Sequence, residues 1–306
     1  MGLKFRALLI AGPTASGKSA AALKLATRYG AEVVNADSMQ VYRDLRLISA
    51  RPEPFETELA PHKLFGEVDG AVNFSVGRWV EAATALLEAA EGPLIFVGGT
   101  GLYFRALTEG LSDIPEVPDE VREDVRTLAA DETTPALHAI LSESDPATAA
   151  KLRPSDRQRI LRALEVIAAT GKPLVEFQGA RAPAPLRPGE WRGIFLAPER
   201  NMLNSRIALR FEQMIERGAL DEVAALAARQ LDPALPVMRA HGVPHLISLL
   251  EGRISREEAI EMSVRDTRRY AKRQFTWARH QMPEFSWTAP EDAEAKGAEA
   301  FAAAAS

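Results

Sequence analysis

Gly12-Pro-Thr-Ala-Ser-Gly-Lys-Ser19 is the stretch that decides the fold of this 306-residue chain. It matches the pattern G-x-x-x-x-G-K-S, in which successive backbone N–H groups curl around phosphate oxygens and the lysine supplies a positive charge. The apolar run at residues 5–11 predicts a buried strand before it, and the Ala- and Leu-rich residues 20–28 predict a helix after it. Strand, glycine loop and helix in this order indicate a phosphate site at a helix N-terminus.

Three further apolar runs, at residues 32–36, 93–97 and 192–197, predict more strands. Strands without polar alternation are typical of a parallel sheet buried on both faces, and helical patterns between them indicate βαβ units. We therefore predict an α/β fold with a parallel sheet core like that of the P-loop NTPases.

The composition of the sequence changes after Gly110, where prolines and charged residues separate short helical patterns. We interpret residues 113–155 as a helical insertion, whose end could extend to about residue 187. Residues 1–112 and 156–306 would then form the sheet domain with its helical C-terminal region. The Ala- and Glu-rich tail has helical propensity but little to pack against.

Composition excludes several classes of function. The absence of cysteine rules out disulfides, thiolate zinc sites and thiol catalysis, and it fits a cytoplasmic protein. No run reaches the roughly 18 apolar residues of a membrane span, so we expect no membrane partner, and we expect a monomer. The net charge of −5 argues against indiscriminate nucleic-acid binding. Cationic residues are nevertheless concentrated near the C-terminus, at Arg265, Arg268, Arg269, Lys272, Arg273 and Arg279.

The residues around the loop leave its ligand open. Lys18 suits a diphosphate or triphosphate, and the Ser19 hydroxyl suits Mg²⁺. The third predicted strand ends in Gly98-Gly-Thr-Gly101 without the carboxylate that motor ATPases and GTPases usually place there. Asp37 and Thr100 follow strands whose carboxyl ends should face the loop, although an aspartate at a strand exit is as often a turn residue. A small-molecule kinase and a nucleotide-binding RNA chaperone remain alternatives at this point.

Six blocks in order make the sequence more specific. Three are Gly12–Ser19, the run Asn-Ala-Asp-Ser-Met-Gln-Val-Tyr at residues 35–42, and Val-Gly-Gly-Thr-Gly-Leu-Tyr-Phe at residues 97–104; the others are residues 156–166, 206–211 and 267–277. In these blocks the chain resembles the tRNA dimethylallyltransferase (tRNA isopentenyltransferase) family, over about residues 6–280. The zinc finger of some eukaryotic members is not found, which indicates the bacterial type.

The resemblance implies transfer of a dimethylallyl group from its diphosphate to N6 of the tRNA adenosine 3′-adjacent to the anticodon, with Mg²⁺ as cofactor. It implies that Asp37 accepts a hydrogen bond or proton from the adenine amine, that Thr100 lies beside the diphosphate and the nucleotide, and that Arg210 stabilises the departing diphosphate. The implied diphosphate-binding residues are Gly12, Pro13, Thr14, Ala15, Ser16, Gly17, Lys18 and Ser19, with Ser19 also holding the metal. The implied contacts to the tRNA anticodon stem-loop are Asp37, Ser38, Met39, Gln40, Thr100, Arg122, Gln158, Arg159, Ile160, Leu161 and Arg162.

Two segments depart from the family pattern. The chain has Ile48-Ser-Ala-Arg-Pro52 where the family commonly has Gly-Thr-Ala-Lys-Pro, and Ala240-His-Gly-Val-Pro-His245 where it often has Val-Gly-Tyr-Arg. The first keeps the cation and the proline, while the second lacks the tyrosine and arginine. We expect the insertion and the basic C-terminal helices to hold the anticodon arm. A P-loop small-molecule kinase is the alternative function.

Overall fold

A computed structural model describes residues 5–179 and 181–305 of the chain. The described residues fall into two compact units. The larger, which we call the sheet unit, runs up to Thr108 and resumes at Pro185. The smaller, the helical unit, comprises Glu109–Ala184.

The sheet unit is built on six parallel strands in the order β3-β2-β4-β1-β5-β6. The strands are β1 Ala7–Ala11, β2 Glu32–Asn35, β3 His62–Lys63, β4 Leu94–Gly98, β5 Trp191–Leu196 and β6 Ser286–Thr288. Every residue of β1 and β4 is buried, because helices cover both faces of the sheet. The predicted α/β class with a parallel sheet is confirmed. The sequence did not predict β3 and β6, which are only two and three residues long.

The helices of the described residues are α1 Lys18–Tyr29, α2 Pro54–Leu59, α3 Val76–Ala89, α4 Gly101–Glu109, α5 Asp119–Ala129, α6 Thr134–Ser144, α7 Pro146–Ala149, α8 Arg157–Thr170, α9 Leu174–Phe177, α10 Arg200–Glu216, α11 Ala219–Ala228, α12 Val243–Leu250, α13 Arg256–Gln281 and α14 Ala293–Ala305. The longest, α13, begins with a capping box in which the Ser255 hydroxyl accepts from the Glu258 N–H and the Glu258 carboxylate accepts from the Ser255 N–H. None of the helices in the described ranges combines the length and apolar character that a bilayer crossing requires.

The C-terminal tail packs more firmly than its composition suggested. In α14 the Phe301 ring stacks on Tyr29 at 4.3 Å between centroids and meets Phe5 edge-on at 5.6 Å. Gly297 lies so close to α1 that a Cβ there would be 2.3 Å from the Leu25 side chain. The expectation that the tail has little to pack against is wrong, because α1 offers it a complementary apolar face.

The helical unit has its own apolar core. Helix α8 packs against α5 and α6, and their buried side chains include Val125, Leu141 and Ile160. Buried Asp145 begins α7 by accepting from the Thr148 N–H at 2.9 Å, and its other oxygen accepts from the Leu174 N–H at 3.1 Å. Helix α8 belongs to this unit, which ends at Ala184, close to the longer of the two limits given for the insertion, about residue 187, rather than to residue 155.

Candidate active site

Three loops meet at the carboxyl edge of the sheet. They follow β1, β2 and β4, which are neighbours in the strand order, and they carry the phosphate loop, Asp37 and Thr100. The last two loops are hydrogen-bonded together, because the Thr100 N–H donates to the Ala36 carbonyl at 3.1 Å and the Ser38 N–H donates to Thr100 Oγ1 at 2.9 Å. Parallel strands thus bring together the catalytic candidates from the first hundred residues.

The phosphate loop has the backbone that such loops need. Ala15 and Gly17 have left-handed φ angles of 60° and 91°, which turn the chain between β1 and α1. Gly12 is buried, and a Cβ there would be 2.9 Å from Ser16 Oγ. The Ser16 hydroxyl is itself buried and has no hydrogen-bond partner within the described part of the chain. The loop therefore combines backbone donors with an unpaired hydroxyl, as a phosphate site would.

Lys18 is held against the loop in a buried position. Its side chain is on the inner face of α1, and Nζ donates to the Pro13 carbonyl at 3.2 Å. Burial lowers the pKa of Lys18 to about 8, against the attraction of Asp37, and the positive charge of Arg210 lowers it further. A depressed lysine pKa at a cationic site favours an anionic ligand, since an anion would stabilise the ammonium form.

Asp37 stands in a rigid turn rather than on a mobile loop. The Asn35 side chain accepts from the Asp37 N–H at 2.8 Å and donates to the Asp37 carbonyl at 2.9 Å. Asp37 Oδ1 accepts from the Met39 N–H at 2.9 Å. The turn interpretation of Asp37 is thus correct locally, yet its second carboxylate oxygen, Oδ2, makes no contact in this turn and faces Gly99.

Arg210 of α10 completes a compact group with Lys18 and Asp37. Burial lowers the pKa of the Arg210 guanidinium, and the charges of Asp37 and Glu56 oppose this shift. The carboxylate of Asp37 thus acts on both cations. The structure brings together an arginine and an aspartate that are 173 positions apart in sequence, as the catalytic assignment requires.

Close backbone contacts explain why β4 ends in glycines. A Cβ on Gly98 would be 2.0 Å from the Ala36 carbonyl oxygen, and one on Gly99 would be 2.2 Å from Gln274 Nε2. Both distances are too short for real side chains. Backbone packing therefore excludes a carboxylate at position 98, whereas one at position 99 would have to displace the Gln274 side chain.

A cleft of about 220 Å³ opens beside the phosphate loop. Ser19 and Arg210 line it, together with Arg46, Glu53 and Arg217. Glu53 pairs with Arg46 at 2.7 Å and also with Arg217, which lowers the pKa of the Glu53 carboxyl. The exposed hydroxyl of Ser19 thus faces a cleft rich in guanidinium groups, which suits a multiply charged anion.

The divergent segment 48–52 has a structural role in this chain. Arg51 donates to the backbone carbonyls of Leu45 at 3.2 Å and Arg43 at 3.1 Å. The preceding amides of residues 46–48 all donate to the carboxylate of Glu222 in α11, at 2.7–3.0 Å. The retained cation therefore fixes a turn at the edge of the cleft.

Helix α13 contributes residues that the sequence did not single out as functional. Tyr270 makes a hydrogen bond with Thr100, and burial followed by the nearby charge of Asp37 raises the pKa of its hydroxyl. The His241 ring lies 4.6 Å from the Tyr270 ring, and burial lowers the pKa of His241. Gln274 bonds to two loops of the site. The sequence did carry a signal for Tyr270 and Gln274, because they are polar residues one turn apart on the buried side of a helix.

The proposed tRNA residues belong to both units. Asp37, Ser38, Met39 and Gln40 are partly buried in the sheet unit, where Met39 packs against the core and the Gln40 amide donates to the carbonyls of Ser49 and Ala50 at 2.9 and 3.0 Å. The remaining candidates are in the helical unit: Arg122, Gln158, Arg159, Ile160, Leu161 and Arg162.

In the helical unit, each candidate arginine has an acidic neighbour three residues away. Arg122 pairs with Asp119 at 2.9 Å, Arg159 with Asp156 at 3.4 Å, and Arg162 with Glu165 at 3.3 Å. Gln158 is exposed and Leu161 is half-buried. Ile160 is fully buried in the core of the unit, so its side chain is not at the surface and an RNA contact at this position would be made by its backbone. Its position on α8 follows the helical period, which places it opposite the exposed face.

The C-terminal cations line a large groove between α10 and α13, with a volume of about 980 Å³. Its floor is apolar and includes Leu203, Val264 and Phe275, and its rim carries Arg265, Arg268, Arg269, Lys272 and Arg279. Asp266 pairs with Arg269 at 3.5 Å and with His245 at 2.9 Å. The predicted basic face of α13 therefore exists, and the carboxylates of Glu212, Glu257 and Glu261 also line the groove.

A glycine loop between a parallel strand and a helix, with a buried lysine, an aspartate and an arginine converging on it, defines a phosphate-binding enzyme of the P-loop α/β class. Comparison with known proteins narrows this class. Residues 40–281 match the family model for IPP transferase, and residues 5–62 match that for isopentenyl transferase.

The tRNA dimethylallyltransferase of Methylocella silvestris is 62% identical over 295 residues, which is 95% of this chain and 97% of that protein. That of Rhodopseudomonas palustris is 60% identical over 292 residues, with 94% and 91% covered. The crystal structure of a tRNA isopentenylpyrophosphate transferase from Bacillus halodurans is similar with a TM-score of 0.70, at 31% identity over 99% of this chain and 98% of that one. A eukaryotic dimethylallyltransferase acting on tRNA gives a TM-score of 0.77 at 26% identity, with 94% and 74% covered.

The chain belongs to the tRNA dimethylallyltransferase family. It is a prenyltransferase, and the kinase alternative has no support among these relatives.

Proposed function

We propose that this enzyme transfers the dimethylallyl group of dimethylallyl diphosphate to N6 of the adenosine 3′-adjacent to the anticodon in tRNA, giving N6-isopentenyladenosine. The observation that carries the proposal is the convergence of Lys18, Asp37 and Arg210 at the phosphate loop. The carboxylate can accept the proton of a neutral nucleophile. The two cations beside it can stabilise an anionic leaving group.

Asp37 is the proposed base. The exocyclic amine of adenine is a weak nucleophile, because its lone pair is delocalised into the ring. A carboxylate that accepts a hydrogen bond from N6 raises the electron density on nitrogen as the new C–N bond forms, and it takes the proton that the amine loses. The Asn35 side chain fixes the backbone of Asp37 and the Met39 N–H holds its Oδ1, so that the contact with N6 needs little reorganisation.

The phosphate loop and Arg210 are the proposed binding site for the leaving group. As the C–O bond breaks, the bridging oxygen of the diphosphate gains negative charge. Loop amides, Lys18 and Arg210 point positive charge at that place. Thr100, which is fixed by Ser38 and Tyr270, lies between the two reacting groups in this proposal.

Mg²⁺ is the proposed cofactor, with Ser19 as its protein ligand. No group of three or more acidic or histidine side chains that could cage a metal occurs within residues 5–179 and 181–305. The donor set fits an ion shared with a diphosphate, because Mg²⁺ usually combines one or two protein oxygens with phosphate oxygens and waters. When bound, the ion neutralises charge on the diphosphate.

The proposed RNA substrate is the anticodon stem-loop of tRNA. The adenine must leave its stack to reach Asp37, at a cost of a few kcal/mol. The proposed contacts are Asp37–Gln40 and Thr100 in the sheet unit, and the exposed side chains around Gln158 in the helical unit. We further propose that the enzyme acts as a monomer in the cytoplasm.

The test is incubation of the protein with dimethylallyl diphosphate, Mg²⁺ and unmodified tRNA, followed by mass spectrometry of the nucleosides. We expect one dimethylallyl group on the adenosine next to the anticodon. A parallel reaction with ATP in place of the isoprenoid serves as the control, and we expect no phosphate transfer in it. If the adenosine is still unmodified after prolonged incubation, the proposal is contradicted.

A further inference from the structure

Gln274 is a buried polar side chain of α13. It lies on the buried side of the last third of this helix and is 8% exposed. Buried amides are stable only when their polar atoms have partners. The partners of Gln274 are therefore informative about why a glutamine stands there.

Both ends of the Gln274 amide bond to backbone of the active site. Its Oε1 accepts from the Thr14 N–H of the phosphate loop at 3.3 Å, and its Nε2 donates to the Gly99 carbonyl at 2.8 Å. These two backbone groups follow different strands, β1 and β4. A side-chain amide offers an acceptor and a donor side by side without changing its charge.

The backbone at Gly99 is shaped to admit this amide. A Cβ at Gly99 would be 2.2 Å from Gln274 Nε2 and 3.3 Å from Asp37 Oδ2. The glycine thus lets the glutamine and the catalytic aspartate candidate approach the same peptide. The next residue along is Thr100, whose hydroxyl bonds to Ser38 and to Tyr270, one turn before Gln274 on the same helix.

We propose that Gln274 is a positioning residue that locks the diphosphate loop to the Thr100 loop, so that the affinity of the loop for diphosphate depends on α13. The proposal rests on the function proposed above. The amide holds the Thr14 N–H, near the start of the curled loop, in one orientation. It also fixes the Gly99 peptide, and with it the position of Thr100. Because α13 carries the basic face described above, one helix then sets the geometry of the anion site and presents cations to solvent.

Two variants test the proposal through binding of inorganic diphosphate with Mg²⁺, measured by calorimetry on the full chain. Gln274→Met keeps the length and volume of the side chain but removes both hydrogen bonds. We expect its Kd to rise roughly tenfold, as the loss of about 1.4 kcal/mol of positioning would give. Ser263→Ala is the matched control, because the buried Ser263 hydroxyl donates only within α13, to Ala259.

Gln274→Glu separates positioning from packing. The protonated carboxyl resembles the amide in having a donor and an acceptor, whereas the ionised carboxylate cannot donate to the Gly99 carbonyl and repels Asp37. We expect its diphosphate affinity, relative to wild type at the same pH, to recover as pH falls from 8 to 5. The diphosphate affinity of Gln274→Met relative to wild type should stay constant over this pH range.

The outcomes are distinct. A Kd for Gln274→Met within twofold of wild type, or a Gln274→Glu ratio that does not change with pH, would overturn the proposal. Should Gln274→Met fail to fold, the pH response of Gln274→Glu decides alone. A wild-type protein that binds diphosphate but leaves tRNA unmodified would defeat the proposed function and not this inference.

Discussion

The turn at Asp37 combines a fixed backbone with an available carboxylate oxygen. Asn35 and Met39 satisfy the backbone and Oδ1 of the turn, while Oδ2 lies near Gly99. A base held in this way can be neutralised without disturbing its surroundings. The amide of asparagine keeps an acceptor for Met39 but cannot take a proton.

Asp37→Asn should therefore lower the rate of prenyl transfer about 10²–10⁴-fold, the usual range for loss of a general base. Single-turnover kinetics with saturating tRNA measure this, and filter binding should give a tRNA affinity close to that of wild type. Asp69→Asn, in a carboxylate that pairs with Arg229, is the control. Wild-type turnover in Asp37→Asn would remove Asp37 from the mechanism.

The pKa of Lys18 gives a second prediction at this scale. Because burial lowers it to about 8, the lysine is charged below that pH and neutral above it. The contribution of Lys18 to diphosphate affinity should be fully present below pH 8. Above pH 8 this contribution should decline by up to about tenfold in Kd per pH unit. Free diphosphate titrates too, so the readout is the ratio of wild-type to Lys18→Met Kd values between pH 6.5 and 9.5. A ratio that does not change with pH would contradict the assignment.

Among the elements, α11 has an effect beyond its own packing. The carboxylate of Glu222 accepts three consecutive N–H groups, those of residues 46–48, and so holds the turn that lines the cleft beside Ser19. Charge-assisted bonds to buried amides are stronger than ordinary ones. The segment that departs from the family pattern is thus anchored from a distant helix.

Glu222→Gln should lower the free energy of unfolding by about 1–3 kcal/mol, because an amide puts a donor against one of these N–H groups. Urea denaturation followed by circular dichroism measures the change. The exposed Glu216, six residues earlier, supplies the control variant Glu216→Gln, which should alter stability by less than about 0.5 kcal/mol. Equal stability of the two variants would show that Glu222 does not anchor the turn.

The sequence predicted the elements with strong local signals and missed those that depend on distant partners. The glycine loop and the apolar strands β1, β2, β4 and β5 were correct because each is determined by a short pattern. The short strands β3 and β6 form only by pairing with β2 and β5. The role of Glu222 and that of Gln274 likewise depend on backbone groups more than 170 positions away. The unit of helix α8 was left open, between an insertion ending at residue 155 and one ending at about 187, because its own pattern does not indicate which core it joins.

At the scale of the whole molecule, the net charge of −5 hides a local excess of cations. The rim of the groove between α10 and α13 carries five arginines and lysines within fifteen residues of α13, from Arg265 to Arg279. The overall charge should keep the protein from binding nucleic acid indiscriminately, whereas the rim should attract a phosphate backbone.

Binding of tRNA should accordingly weaken as salt rises from 50 to 200 mM, with log K falling linearly against log salt. Lys272→Ala should weaken binding and reduce that slope by about one unit if Lys272 contacts a phosphate. Lys24→Ala, in an exposed lysine that pairs with Glu294 of α14, should leave the slope unchanged. Equal slopes for the two variants would place the RNA elsewhere than on α13.

The glycines at the end of β4 also limit which enzymes this chain could become. Motor ATPases and GTPases usually hold their metal with an acidic residue beyond a strand like β4. Here an aspartate at position 98 or 99 would force its Cβ within about 2 Å of the Ala36 backbone or the Gln274 amide. A single substitution at position 98 is therefore closed as an evolutionary route to such an acid, and one at position 99 requires the Gln274 side chain to move. The close packing that positions the catalytic loops thus also limits which metal-binding residues can evolve after β4.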